Sequence, residues 1–227
     1  MNNEKVLVIA AHPDDEILGC GGTVAKHAKN GDIVNVVIIA EGVTSRYEKI
    51  NIKKREKELS ELSKSSHKAN EILGVSSLKL FDFPDNKMDS IIRLDLIKKI
   101  EGCIDKFEPS IVYTHHFGDL NVDHRRVHEA VVTSCRPIPG HSVKRILFFE
   151  VASSTEWNPS TLFSPNWFVD ISGTLDCKLK ALEAYKTEIR DFPHSRSFKA
   201  LKSLAEWRGA SVGLFAAEAF ILGRNLE

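Results

Sequence analysis

The chain is short of several features that would fix its class at once. Its four cysteines, Cys20, Cys103, Cys135 and Cys177, are scattered through 227 residues and form no CxxC pair. That excludes a thiolate metal knuckle, and a disulfide framework is not expected; free thiols in a reducing cytoplasm are. There is no excess of either charge. Lys and Arg number 31, as do Asp and Glu, so no global field steers the chain toward nucleic acid or an anionic membrane. No apolar stretch approaches the roughly 20 residues that span a bilayer. The polar start Met1-Asn2-Asn3-Glu4-Lys5 lacks a signal-peptide pattern, which makes a cytoplasmic location the expectation. Internal repeats, low-complexity segments and linkers are absent. The cluster Gly19-Cys20-Gly21-Gly22 lacks the G-x-G-x-x-G spacing of a dinucleotide fingerprint, because Val24 stands where the third glycine belongs. Its small residues are expected to let a helix pack close to a sheet.

What is present is an alternation of short apolar runs with longer amphipathic ones. Strands are predicted at 5–11, 33–40, 78–82, 110–114, 144–150 and 166–171. Helices are predicted at 16–29, 53–73, 90–107, 123–135, 174–188 and 198–208. Gly31 and Gly74 stand at C-cap positions, and Pro109 closes a third helix. The first strands are Val/Ile-rich without clean alternation, which marks burial on both faces of a parallel sheet. The β-α-β-α order predicts one open three-layer α/β/α domain over residues 1–227, with a mostly parallel sheet and 153–165 as a long internal connection. Ligands in such sheets sit at the carboxyl ends of the strands. Polar titratable residues gather at those ends, at 12–16, 41–46, 82–86 and 114–124, while the opposite loops are plain.

The densest of these ends is Ala10-Ala11-His12-Pro13-Asp14-Asp15-Glu16. Three carboxylates so close together are costly unless a cation or specific hydrogen bonds neutralise them. A catalytic zinc site takes three protein ligands and leaves one position open. His12 and the distant His124 supply two imidazoles, and Asp15 or Asp14 supplies the carboxylate. Pro13 stiffens the turn so that the two aspartates diverge, one toward a metal and one toward its water. The alternative use of Asp14 and Asp15 is to cap the following helix.

The segment Ala11-His12-Pro13-Asp14-Asp15-Glu16, with Gly19 and Gly21-Gly22 after it, resembles the signature of the PIG-L/LmbE-like zinc-dependent N-deacetylases. Asp123-His124, with His128 four residues on, resembles that family's second metal motif; Arg55-Glu56 and Phe83-Pro84-Asp85 are also similar. The likeness spans roughly 5–135. It implies a Rossmann-like fold and removal of an acyl group, usually acetyl, from an amino sugar or its conjugate, including a nucleotide sugar for surface polysaccharide. It also implies one Zn2+ per chain on His12, Asp15 and His124, other divalent metals suiting the same ligands. Asp14 would be the general base, and Arg55 and Asp85 would contact the sugar. Asp123 and His128 are expected to orient the ligands. The family's second motif commonly reads His-x-Asp-His; here Asn121 replaces the first histidine. Asn121 donates a hydrogen bond to an oxyanion but supplies no proton. Either Asp14 works as base and then as acid, or His115, His116 or His128 reaches the site.

Farther on, His194, Arg196 and Arg208 are candidates to meet a phosphate or nucleotide on the substrate, and Glu156-Trp157 to shape a sugar subsite; packing roles are the alternative. Competing functions are an amidase acting on a sugar-thiol conjugate and a non-catalytic sugar- or metal-binding homologue. The expected partner is a small amino sugar; a homo-oligomer is left open.

Overall fold

The computed structural model describes residues 3–46 and 52–227. The strands are β1 (Lys5–Ala10), β2 (Ile33–Ala40), β3 (Ser77–Phe83), β4 (Ile111–His115), β5 (Arg145–Phe149), β6 (Trp167–Asp170) and β7 (Ala217–Asn225). The helices are α1 (Asp15–Lys29), α2 (Ile52–Leu73), α3 (Arg93–Phe107), α4 (Val122–Ser134), α5 (Leu175–Leu182) and α6 (Phe198–Ala210). Among the described residues the strands form a seven-stranded sheet in the order β3-β2-β1-β4-β5-β7-β6. β1 pairs in parallel with β2 and with β4, so the chain reverses its direction of winding between β1 and β4. The crevice at that reversal, outside the carboxyl ends of the strands, is where open α/β sheets bind ligands.

Helices cover both faces, as the unalternating strands require. Val6, Val8, Val36 and Ile38 pack under α1, α2 and α5 on one side; Leu7, Ile9, Val37 and Ile39 pack against α3 and α4 on the other. Two differences from the sequence reading stand out. The long helix expected over 174–188 ends at Leu182 and passes into a 3-10 turn, Glu183–Tyr185. The C-terminal segment, not expected to be a strand, is β7, inserted antiparallel between β5 and β6. Its first half, Ala217-Glu218-Ala219-Phe220, is fully buried although it carries a carboxylate, which hides the strand from a hydropathy reading.

That carboxylate explains an irregularity in α1. The helix breaks at Cys20 (φ −147°, ψ 21°). The Leu18 carbonyl accepts from Lys178 Nζ (2.8 Å) in place of the Gly22 N–H. The freed N–H groups of Gly22 and Thr23 donate to the two oxygens of Glu218, at 3.0 and 2.7 Å. Lys178 and Glu218 pair at 2.6 Å, so one buried ion pair spans the missing bond, the kind of side-chain insertion that bends helices. The glycines beside the break have no room for a side chain: a Cβ on Gly19 would lie 2.3 Å from the Phe149 ring, and one on Gly22 2.8 Å from Ile171.

Candidate active site

β1 delivers the chain to the crevice. The Ala11 N–H donates to His115 Nε2 at the end of β4 (2.8 Å), which locks the two strand ends together. The chain then turns through Pro13, and the Asp15 carboxylate comes back to accept the His12 N–H (2.8 Å). Asp14, at the corner, has φ 106° and ψ −27°; for a residue with a Cβ this conformation costs about 1–3 kcal/mol. It precedes α1 as N-cap by position, but its side chain makes no capping bond and is free for other use.

Three side-chain atoms converge at this turn. His12 Nδ1 lies 3.2 Å from Asp15 Oδ2 and 3.2 Å from His124 Nε2; His124 Nε2 lies 3.1 Å from Asp15 Oδ2. A tetrahedral zinc with ligands at about 2.0–2.2 Å sets its donors roughly 3.3–3.6 Å apart. The triangle therefore accepts a divalent ion with a small expansion. Its electrostatics agree. Burial alone would lower the two histidines, but the surrounding carboxylates override it: Asp123, Asp15 and Asp85 raise His12, and Asp15 and Asp119 carry His124 up to about 9. Burial would likewise raise Asp15, but His124 and His12 hold it well below the usual carboxylate range. The raised histidines and the lowered aspartate favour opposite charges within the triangle.

Each imidazole is backed by a carboxylate on its far nitrogen. Asp123 Oδ2 is 3.0 Å from His12 Nε2 and also accepts the Asn86 N–H; its Oδ1 accepts the Met88 N–H. Asp119 Oδ1 is 3.1 Å from His124 Nδ1. Asp119 also accepts from the Asn121 N–H and from the hydroxyls of Ser154 and Thr155. Burial would raise its carboxyl, but these bonds and His124 hold it below the usual range. Such carboxylates fix the orientation of a metal-binding imidazole and raise its basicity. Sequence reasoning passed over Asp119, although it sits five residues before His124 in the same polar strand end. His128 does not touch the triangle; its Nδ1 bonds the His115 carbonyl (2.8 Å) and steadies the tip of β4.

Asp14 stands beside the triangle with its Oδ2 on Arg196 Nη1 (2.8 Å). Burial pushes its carboxyl up to about 8 against the opposing pull of Arg196. Arg196 is thus engaged by Asp14 and, through Nε, by Ser153. Arg208 forms a two-pronged pair with Glu150 (2.8 and 2.7 Å). His194 accepts the Arg196 N–H and meets the half-exposed Trp157 edge-on.

The cleft that opens here has a volume of about 190 Å³ and is lined by His12, Pro13, Asp14, Gly42, Ser45, Asp85, Asn86, Asn121, Glu188 and Arg196. Asp85 lies 3.2 Å from His12 Nε2 and is steadied by Ser45 and Asn86. Asn121 caps α4, its Oδ1 accepting the Asp123 N–H, and its Nδ2 donates to Asn86 Oδ1 (2.9 Å). One N–H of that amide is thereby spent and the other is left. Arg55 is not among the lining residues: it sits half-buried in the first turn of α2, its Nε without a hydrogen bond. His115 is buried and, by its bond to Ala11, engaged in structure; His116 is buried with both ring nitrogens unbonded. Neither lines the cleft.

Comparison with known proteins places this geometry. YaiS of Escherichia coli, described as an uncharacterised deacetylase, is 29% identical over 194 residues, covering 80% of this chain and 90% of its own. The diacetylchitobiose deacetylase of Thermococcus kodakarensis is 26% identical over 235 residues, covering 95% and 81%. Among solved structures, GalB, the 4-carboxy-2-hydroxymuconate hydratase of Pseudomonas putida KT2440, superposes with a TM-score of 0.79 over 99% of this chain and 98% of its own, at 20% identity. That likeness speaks for the fold alone, since one scaffold carries different chemistries. The family model PIG-L, described as GlcNAc-PI de-N-acetylase, matches residues 7–135. That span contains most of β1, the His12–Glu16 turn and the Asp119–His128 segment, and on this match the chain is a member of the PIG-L family.

Proposed function

We propose that the protein is a metal-dependent N-deacetylase, with zinc as the natural ion, that hydrolyses the acetamide of an N-acetyl amino sugar or its conjugate. The observation that carries this reading is the His12–Asp15–His124 triangle with the Asp14 carboxylate, held by Arg196, at its side. A site that only bound a metal or a sugar would have no use for a strained, buried carboxylate there. The deacetylase relatives above support the same reaction class.

His12, Asp15 and His124 would hold the ion. When bound, it supplies Lewis acidity and brings the pKa of a water from about 15.7 toward 7. The chain's own residues do the rest. Asp123 and Asp119 keep the two imidazoles in register. Asp14, with Oδ2 on Arg196, takes the water's proton on its other oxygen as the water attacks the acetamide carbonyl. Asn121 turns its remaining N–H to the oxygen that gains charge; losing one such donor typically costs about 2.7–4 kcal/mol. No histidine that lines the cleft is free to act as acid, so Asp14 returns its proton to the departing amine. Free amino sugar and acetate result. Ser45, Asp85 and Asn86 offer the mixed donors and acceptors that sugar hydroxyls need.

The test is acetate release from N-acetylglucosamine and its β-1,4 disaccharide, with and without chelator. Turnover that survives complete metal removal, or an Asp14→Asn variant as fast as wild type, overturns the reading.

A further inference from the structure

Asp14 is gripped at two points, and only one of them is its carboxylate. Its backbone N–H donates to Glu16 Oε2 (3.0 Å). Glu16 is completely buried, and its other oxygen is taken by Tyr185 Oη (2.8 Å) and Asn70 Nδ2 (2.9 Å). Asn70 is itself anchored on the Ser66 carbonyl (2.9 Å). Glu16 therefore joins three elements: the start of α1, the far half of α2 and the 3-10 turn after α5. It is not among the residues that line the cleft.

A carboxylate is expensive to bury, and this one does nothing for the metal triangle. Its specific effect is on the corner residue. Asp14 holds a positive φ that its own side chain disfavours, and such conformations persist only where the surroundings over-determine them. The Asp14 carbonyl is used by the amides of Ile17 and Leu18, so its N–H is the backbone handle left to hold. We infer that Glu16, braced by Tyr185 and Asn70, is a positioning residue that fixes the Asp14 peptide and thereby aims the Asp14 carboxylate beside the metal triangle. The inference rests on the reading of Asp14 as the proton carrier. Tyr185 and Arg196 flank one stretch of chain, 185–196, so that stretch reaches both the backbone and the carboxylate of Asp14.

The experiment compares Glu16→Ala, Glu16→Gln and Tyr185→Phe as zinc-loaded enzymes and as crystals. In Glu16→Ala the Asp14 peptide loses its acceptor and is expected to leave the positive-φ region. A displacement near 1 Å at a reacting group costs up to about a hundredfold in rate; kcat should fall at least about tenfold, with KM and zinc affinity within about threefold. Glu16→Gln keeps an oxygen for the Asp14 N–H and should recover most of that loss. Tyr185→Phe loosens Glu16 without a cavity beside Asp14 and should lower kcat by about threefold, which keeps the test alive if Glu16→Ala does not fold. A purely structural Glu16 would lower Tm in all three while leaving kcat per folded molecule unchanged, and that result overturns the inference. So does an Asp14 that stays in place in the Glu16→Ala crystal, or, where that variant does not fold, an unchanged kcat in Tyr185→Phe. Wild-type protein that releases no acetate refutes the deacetylase reading instead, and the crystals still decide the role of Glu16.

Discussion

Replacing Asp119 by Asn separates the charge behind His124 from the shape of its support. Asp119 Oδ1 stands 3.1 Å from His124 Nδ1, and the same carboxylate receives Asn121, Ser154 and Thr155. With Nε2 turned to a metal, Nδ1 carries the proton and donates it to Asp119. A hydrogen bond to a charged group contributes about 1.5–3 kcal/mol and one to a neutral group about 0.5–1.5, so the amide forfeits roughly 1–1.5 kcal/mol. That is about a tenfold loss of metal affinity, the low end of the 10–100-fold range for such partners. The amide oxygen keeps His124, the Asn121 N–H and the Ser154 hydroxyl, and the Thr155 hydroxyl rotates to accept from the new N–H group, so the fold should change little. Competition against a chromophoric chelator at fixed pH measures the affinity directly. A folded Asp119→Asn protein that binds zinc within threefold of wild type refutes the idea that Asp119 tunes the His124 nitrogen.

Two other outcomes are expected. Lys178→Met strands the Glu218 carboxylate and the Leu18 carbonyl inside the break of α1; losing one partner of a buried pair costs about 3–5 kcal/mol. Glu218 retains two backbone N–H bonds, which favours the lower figure and a Tm lowered by roughly 6–12 °C at this chain length, readable by calorimetry; a change under 2 °C would contradict it. Metal-free protein should also lose stability as pH rises. The folded pKa of His124, about 9, lies above its unfolded value of 6.5. Its contribution is therefore full below about pH 6.5 and is lost as pH climbs through 9. Thermal melts from pH 6 to 9 should fall for metal-free protein and stay flatter for zinc-loaded protein, and parallel curves would count against the protonated triangle.

The parallel part of the fold was legible because its signals are local. Val/Ile runs such as Val34–Ala40 have no polar face to hide, and Gly31 and Gly74 punctuate them with positive φ. The turn His12–Glu16 and the pair Asp123-His124 were legible for a related reason: histidine and carboxylate at strand ends have few uses other than chemistry. What was hidden depends on partners far apart in sequence. Glu218 reads as a solvated charge until Lys178 and the opened helix are seen around it. Arg196 looks like a surface cation because Asp14, its partner, lies 182 residues away. Asp119 becomes meaningful only when β4 brings it behind His124.

The break in α1 also answers an electrostatic question posed by the architecture. A helix that begins at the switch point of a parallel sheet normally turns about half a positive charge toward the crevice, and dinucleotide-binding folds use it to hold phosphate. Here the long rear part of the helix starts behind the break, and its positive pole, the N–H groups of Gly22 and Thr23, is met by Glu218 instead. Of α1, one short turn is left facing the crevice, and it carries Asp15 and Glu16. That part of the α1 dipole, which would repel a cation, is absorbed inside the protein, and the turn left at the crevice is acidic.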